Sequence, residues 1–159
     1  MRISLVFAVL ALAACGAEGT TVPMSECASG MQWTGGDSES SLMHPGYACI
    51  NCHNTRGGPR LEVAGTVFGA AHEKDDCFGI SGVSVVITGS DGKVTTLTTN
   101  EAGNFDLRSR GTTIALPYTA KIVQGTNTRA MGAPQMSGDC ASCHSAAGSQ
   151  GAPGRISFQ

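Results

Sequence analysis

Two pentapeptides carry the reactive residues of this chain: Cys49-Ile50-Asn51-Cys52-His53 and Cys140-Ala141-Ser142-Cys143-His144. In each, two thiols stand three positions apart and a histidine follows directly. Thiols at that spacing can both reach the vinyl groups on one edge of a porphyrin, and the histidine can ligate the iron from the proximal side. The predicted chemistry is covalent attachment of a c-type haem at each motif, two haems in all. Cys49 and Cys52 would hold one, Cys140 and Cys143 the other, with His53 and His144 as axial iron ligands. With 7 Cys and 4 His in 159 residues, a random chain would contain about 0.01 such pentapeptides, and here there are two.

A shared zinc site is the strongest alternative. Four-cysteine zinc sites normally space their two thiol pairs by roughly 15–20 residues. The pairs at 49/52 and 140/143 lie much further apart, and zinc gives no reason for a histidine directly after each pair. A thioredoxin-like thiol pair expects one motif at a strand-to-helix junction, not two motifs flanking a strand-rich region.

Two histidines remain, His44 and His72, which equals the number of irons expected. They are the candidate distal ligands, and bis-histidine coordination follows if both serve. Met43, beside His44, and Met131 and Met136, upstream of the second motif, are the competitors. A thioether ligand would raise the reduction potential, although methionines in glycine-rich loops more often fill gaps against a cofactor face. The segment Met43-His44-Pro45-Gly46-Tyr47 ahead of the first motif resembles stretches in bacterial multihaem cytochromes. An iron left with an open position would instead point to ligand binding or catalysis.

The N-terminus reads as an export signal. Arg2 precedes a short apolar run, Ile3 to Ala14, too brief to span a bilayer as a helix. Leu12-Ala13-Ala14-Cys15, followed by Gly16, resembles the lipobox of bacterial lipoproteins. That resemblance implies cleavage after residue 14 and a lipid anchor on Cys15; the plainer alternative is an ordinary signal peptide with a stray cysteine. Acyl chains on one residue give stable anchoring, at about 0.8 kcal/mol per buried methylene. The expected location is a bacterial membrane surface, facing the periplasm or cell exterior. Four cysteines then belong to the motifs and one to the lipid, leaving Cys27 and Cys77. In an oxidising compartment these two are most simply a disulfide.

Further along, the organisation expected is a signal peptide (1–14), a lipidated cysteine and polar tether (15–43), a first haem-binding segment (44–60), a β-sandwich (61–124) and a second haem-binding segment (125–159). Aromatic residues make up 5% of the chain and there are 22 glycines, so the core is small and the cofactors would supply apolar surface. A net charge of −2 gives no reason to expect a nucleic-acid partner. From 61 onward β-branched or alternating runs recur: Val63 to Phe68, Val83 to Thr88, Lys93 to Thr98, Asn104 to Leu107 and Tyr118 to Val123. Gly89-Ser90-Asp91-Gly92 and Asn100-Glu101-Ala102-Gly103 punctuate them as turns. No window shows a helical stripe. The pattern predicts a mainly β protein, an antiparallel β-sandwich flanked by two loop-rich haem-binding segments, each beside a Gly/Pro-rich stretch.

Gly65-Thr66-Val67, Gly82-Val83-Ser84-Val85, Thr98 to Phe105 and Pro117 to Ile122 together resemble carboxypeptidase regulatory-like domains, over residues 61–124. The resemblance implies an Ig-like, transthyretin-like sandwich, generally an accessory module. The stretch His72 to Cys77 is an insertion relative to that pattern. If Cys27 and Cys77 are bridged, the insertion is expected beside the first motif.

The function expected from these features is single-electron transfer with redox partner proteins, without catalysis, from a membrane-anchored position. One rival is a haem enzyme, peroxidase-like or sulfur-oxidising, with one exchangeable iron site and Glu73 or Asp75, near His72, as the acid/base group beside it. The other is a haem-bearing docking or assembly module, for a partner cytochrome, a polysaccharide or other copies of itself.

Overall fold

The computed structural model describes residues 26–159. The expected leader, the Cys15 lipid site and the first part of the tether lie outside the described residues. Among the described residues no helix is long and apolar enough to cross a membrane.

The chain is mainly β. Among the described residues one helix, α1 (Cys49–Arg56), precedes strands β1 (Leu61–Thr66), β2 (Ser84–Thr88), β3 (Val94–Thr98), β4 (Asn104–Arg108), β5 (Thr119–Gln124) and β6 (Asn127–Ala130). A 3-10 turn follows at Cys140–Ser142. All strand pairs are antiparallel, in a two-stranded sheet, β1–β4, and a four-stranded sheet ordered β3–β2–β5–β6.

Period-2 alternation explains β2. Val85 and Ile87 point into the core and are buried, while their neighbours on the other face are only half-buried. The β2–β3 hairpin closes where the Asp-Gly signal stands. The Gly92 N–H donates to the Gly89 carbonyl at 2.9 Å, and the Lys93 N–H donates to Asp91 Oδ1 at 3.1 Å. The second expected turn carries the chain between sheets. Asn100 Oδ1 accepts the N–H groups of Ala102 and Asn104 at 3.0 and 3.1 Å, and Gly103 takes the left-handed conformation (φ 79°). Val63 of β1, Phe105 of β4, Val85 and Ile87 of β2 and Ile122 of β5 form one buried cluster, so the two sheets share a core.

Two elements differ from the sequence expectation. The first motif lies on a helix, not in a loop, and the expected second haem segment opens with β6. All four β6 residues are exposed on a sheet edge, so no apolar pattern marks them. The insertion also behaves differently than expected, bridging both motifs as described below.

The Cys27–Cys77 disulfide is present, joining positions 50 residues apart. The chain-entropy model credits closure of such a loop with about 4 kcal/mol. The bridge ties the segment ahead of the first motif to the insertion, where Phe68 is buried against both half-cystines.

Strand β1 is the spine on which the motifs assemble. Both α1 and the 3-10 turn pack against it. Ala64 forms a parallel bridge with Asp139, and Val67 another with Ile156. Gly138 permits the first of these: the Ala64 N–H donates to its carbonyl at 3.0 Å, and a Cβ there would overlap the Glu62 carbonyl oxygen.

Candidate cofactor-binding site

Helix α1 places Cys49, Cys52 and His53 at i, i+3 and i+4, on one face. It has no buried residue, which is why no apolar stripe announced it. Gly57, in the left-handed conformation (φ 86°), ends it, its N–H donating to the His53 carbonyl at 3.1 Å. The chain then turns so that the His53 Nδ1 lies 3.0 Å from the Pro59 carbonyl oxygen. A carbonyl can only accept, so Nδ1 carries the proton and Nε2 is left as the lone-pair donor.

The second motif repeats this arrangement on a different backbone. The 3-10 turn begins at Cys140, the His144 N–H donates to the Cys140 carbonyl at 2.9 Å, and the His144 Nδ1 lies 2.9 Å from the Gly154 carbonyl oxygen. The same reasoning leaves Nε2 of His144 as the free donor. In each motif, therefore, a histidine behind two thiols is held in the tautomer and orientation that metal-ligating imidazoles adopt.

The two motifs meet. Asp139, immediately ahead of Cys140, is 8% exposed, and its Oδ2 accepts the Asn51 N–H of α1 at 2.9 Å. It caps the first turn of α1 from the other motif, where a negative charge also suits the helix dipole. Its Oδ1 is buried without a hydrogen-bond partner. Burial pushes the Cys49 and Cys140 thiols up to about 12, with the Asp139 carboxylate adding to the effect, so both are neutral thiols at neutral pH. Beside Cys140, burial first and then the neighbouring thiol raise the pKa of the Tyr118 hydroxyl, which donates to the Ser137 carbonyl at 2.7 Å.

The histidines outside the motifs differ from each other. His44 takes a left-handed backbone conformation (φ 43°), with Nδ1 3.0 Å from Asp76 Oδ1 and Nε2 3.2 Å from Asp37 Oδ1. Both ring nitrogens are thus engaged by carboxylates. His72 has Nδ1 2.7 Å from the Ala146 carbonyl oxygen, which leaves its Nε2 free and places it against the second motif. The insertion therefore reaches the first motif's lead-in through Asp76 and the second motif through His72. Of the methionines, Met131 packs on the core, Met136 is exposed, and Met43 uses its carbonyl to accept the Asn104 side-chain amide at 3.0 Å.

Arg155 fastens these pieces together. Its side chain is buried, donates to the Gly46 carbonyl at 2.8 Å and to the Glu73 carbonyl at 2.9 Å, pairs with the Asp75 carboxylate and lies 4.9 Å from the Phe68 ring centroid. This assigns Asp75 and the Glu73 backbone to scaffolding. Sequence reasoning missed both Arg155 and Asp139. For Asp139 a signal existed, since an acidic residue directly precedes a Cys-x-x-Cys-His unit.

A cavity of about 370 Å³ opens beside the second motif. Cys140, Cys143 and His144 line it together with the apolar side chains of Val85, Phe105 and Ile122. Such a volume and lining suit a flat apolar cofactor. Among the described residues the only group of ligand atoms close enough for a single ion is Cys27, Glu73 and Cys77, and both of those thiols are in the disulfide. The motif cysteines are thus not gathered as one metal site. Thiol pairs, oriented imidazoles and an apolar recess are the donor set and surroundings that a covalently held haem requires.

No family model, curated protein or solved structure matches the chain.

Proposed function

We propose that this protein is an exported dihaem c-type cytochrome, lipid-anchored to a bacterial membrane through Cys15, that carries single electrons between respiratory membrane components and a periplasmic or outer-surface partner. The observation that carries the reading is the repeated histidine geometry. His53 and His144 each follow a thiol pair, and each has Nδ1 held by a backbone carbonyl so that Nε2 is free to ligate iron. Cys49, Cys52, Cys140 and Cys143 would form the thioether links. Bound haem supplies one-electron chemistry at its iron, at a potential tuned by axial ligand, burial and hydrogen bonding.

The chain's own contribution is rigidity and proximity. The Pro59 and Gly154 carbonyls fix both imidazoles, the Asp139–Asn51 hydrogen bond fixes one motif against the other, and β1 backs both. An iron whose surroundings do not rearrange exchanges electrons with little reorganisation. The two-sheet scaffold takes the part of an Ig-like, transthyretin-like module. His72, with Nε2 free and Nδ1 held beside the second motif, would be the candidate for a second imidazole there although it does not line the cavity, while His44 could serve at the first only by releasing a carboxylate. Redox proteins are the partners.

Oxidised, reduced and carbon monoxide spectra test the assignment as a carrier. Low-spin haem in both oxidation states, indifferent to carbon monoxide, is the expected result. Carbon monoxide binding at one haem would reveal an exchangeable iron site and replace the carrier with a haem enzyme.

A further inference from the structure

The cavity belongs to one motif only. Cys140, Cys143 and His144 line it, whereas Cys49, Cys52 and His53 do not. The first motif instead sits on α1, a helix without a buried residue. The second site therefore offers a cofactor a recess that the first, whose cysteines are half-buried like those of the second, does not.

Charge distinguishes them as well. Three cationic residues border the cavity: Lys121, Arg129 and Arg155. Arg155 is committed to the Asp75 carboxylate and two carbonyls. Lys121 pairs in register with Val86, which puts it on the sheet face opposite Val85 and Ile122. Arg129 pairs with Ile122, which in turn pairs with Val85, so it shares the cavity-facing side of the sheet. Its guanidinium donates to the Ser157 carbonyl at 3.0 Å. Among the described residues no carboxylate lies within ion-pair distance of it, unlike Arg56, Arg108 and Arg155. Asp139 also lines the cavity, with Oδ2 committed to Asn51 and Oδ1 buried without a hydrogen-bond partner, so Arg129 is set against one carboxylate there.

We propose that Arg129 binds a propionate carboxylate of the haem held by Cys140 and Cys143, making the second site the recessed, higher-potential end of the relay. This rests on the dihaem reading. The guanidinium fork suits a carboxylate bidentately and retains free donors for it. A fixed cation favours the state that has gained an electron, and an apolar recess favours the less charged state of the iron centre. Both effects act on the second haem. Electrons entering at the open first site would then run downhill to the enclosed one.

The test is a potentiometric titration of the intact holoprotein beside Arg129→Gln and Arg129→Lys, with haem located by mass on the peptides carrying Cys49 and Cys140. The expected result is two one-electron steps in the wild type. Arg129→Gln lowers the upper potential alone and narrows the separation, and Arg129→Lys restores most of it. Two covalent haems whose potentials do not respond to Arg129→Gln, or a change confined to the lower step, would overturn the inference and leave the dihaem reading standing. A peptide carrying Cys140 without haem would overturn both. Arg129 is exposed on an edge strand, and the lysine variant, which keeps the charge, separates an electrostatic effect from a packing defect.

Discussion

Asp139→Ala should uncouple the two motifs. The carboxylate accepts the Asn51 N–H inside α1, and the variant leaves that donor without its partner in the protein. A hydrogen bond to a charged group contributes about 1.5–3 kcal/mol, so the Asn51 amide should exchange with solvent roughly 10- to 100-fold faster. The effect is concentrated there because α1 has eight residues, short of the length at which a helix holds itself in water, and buries none of them. Global stability should fall by less. The wild type buries the carboxylate with Oδ1 unpartnered, and removing the group relieves that desolvation. Asp139→Asn keeps an acceptor at the same place and should preserve most of the protection. In the holoprotein, Asp139→Ala should also weaken electronic coupling between the haems. Equal exchange at Asn51 in wild type and Asp139→Ala would show that the contact does not hold the motifs together.

Cys49→Ser with Cys52→Ser should remove one haem and spare the other. The second site has its own thiols, its own oriented histidine and the apolar cavity, none of which the first motif supplies. Covalent haem should fall from two per chain to one, and the survivor should map to the peptide carrying Cys140 and Cys143. Helix α1 should fray, because the cofactor is the apolar partner its exposed face lacks, whereas the sheets, whose core is assembled from β1, β2, β4 and β5, should persist. Loss of both haems, or retention of both, would contradict independent attachment at the two motifs.

What could be read in advance follows the range of the interactions. The β2–β3 hairpin was legible because alternation in Val83 to Thr88 and the Asp91-Gly92 turn are local properties of the chain. Strand β6 was not, because Asn127 to Ala130 are exposed and owe their conformation to pairing with β5. Helix α1 was hidden for a related reason: with nothing buried it has no apolar stripe, and its first turn is capped by a residue far along the chain. The thiols of the candidate site and the histidines that follow them could be picked out as candidates from spacing alone. Their orientation could not, since it depends on the Pro59 and Gly154 carbonyls, and backbone groups leave no mark on residue type. Residue counting put His44 and His72 on an equal footing as distal ligands. Tertiary structure separates them, with carboxylates on both ring nitrogens of His44 and a free Nε2 on His72. The disulfide was legible by elimination among seven cysteines, once the N-terminus was read as an export signal.

The most direct test of the central claim is the intact mass of the mature, denatured protein produced in a host competent for c-type haem attachment, followed by peptide mapping. The account predicts the mass of two haems, one on the peptide carrying Cys49 and Cys52 and one on that carrying Cys140 and Cys143, with none of these four thiols open to alkylation. A haem-free mass with all four thiols alkylated would contradict it.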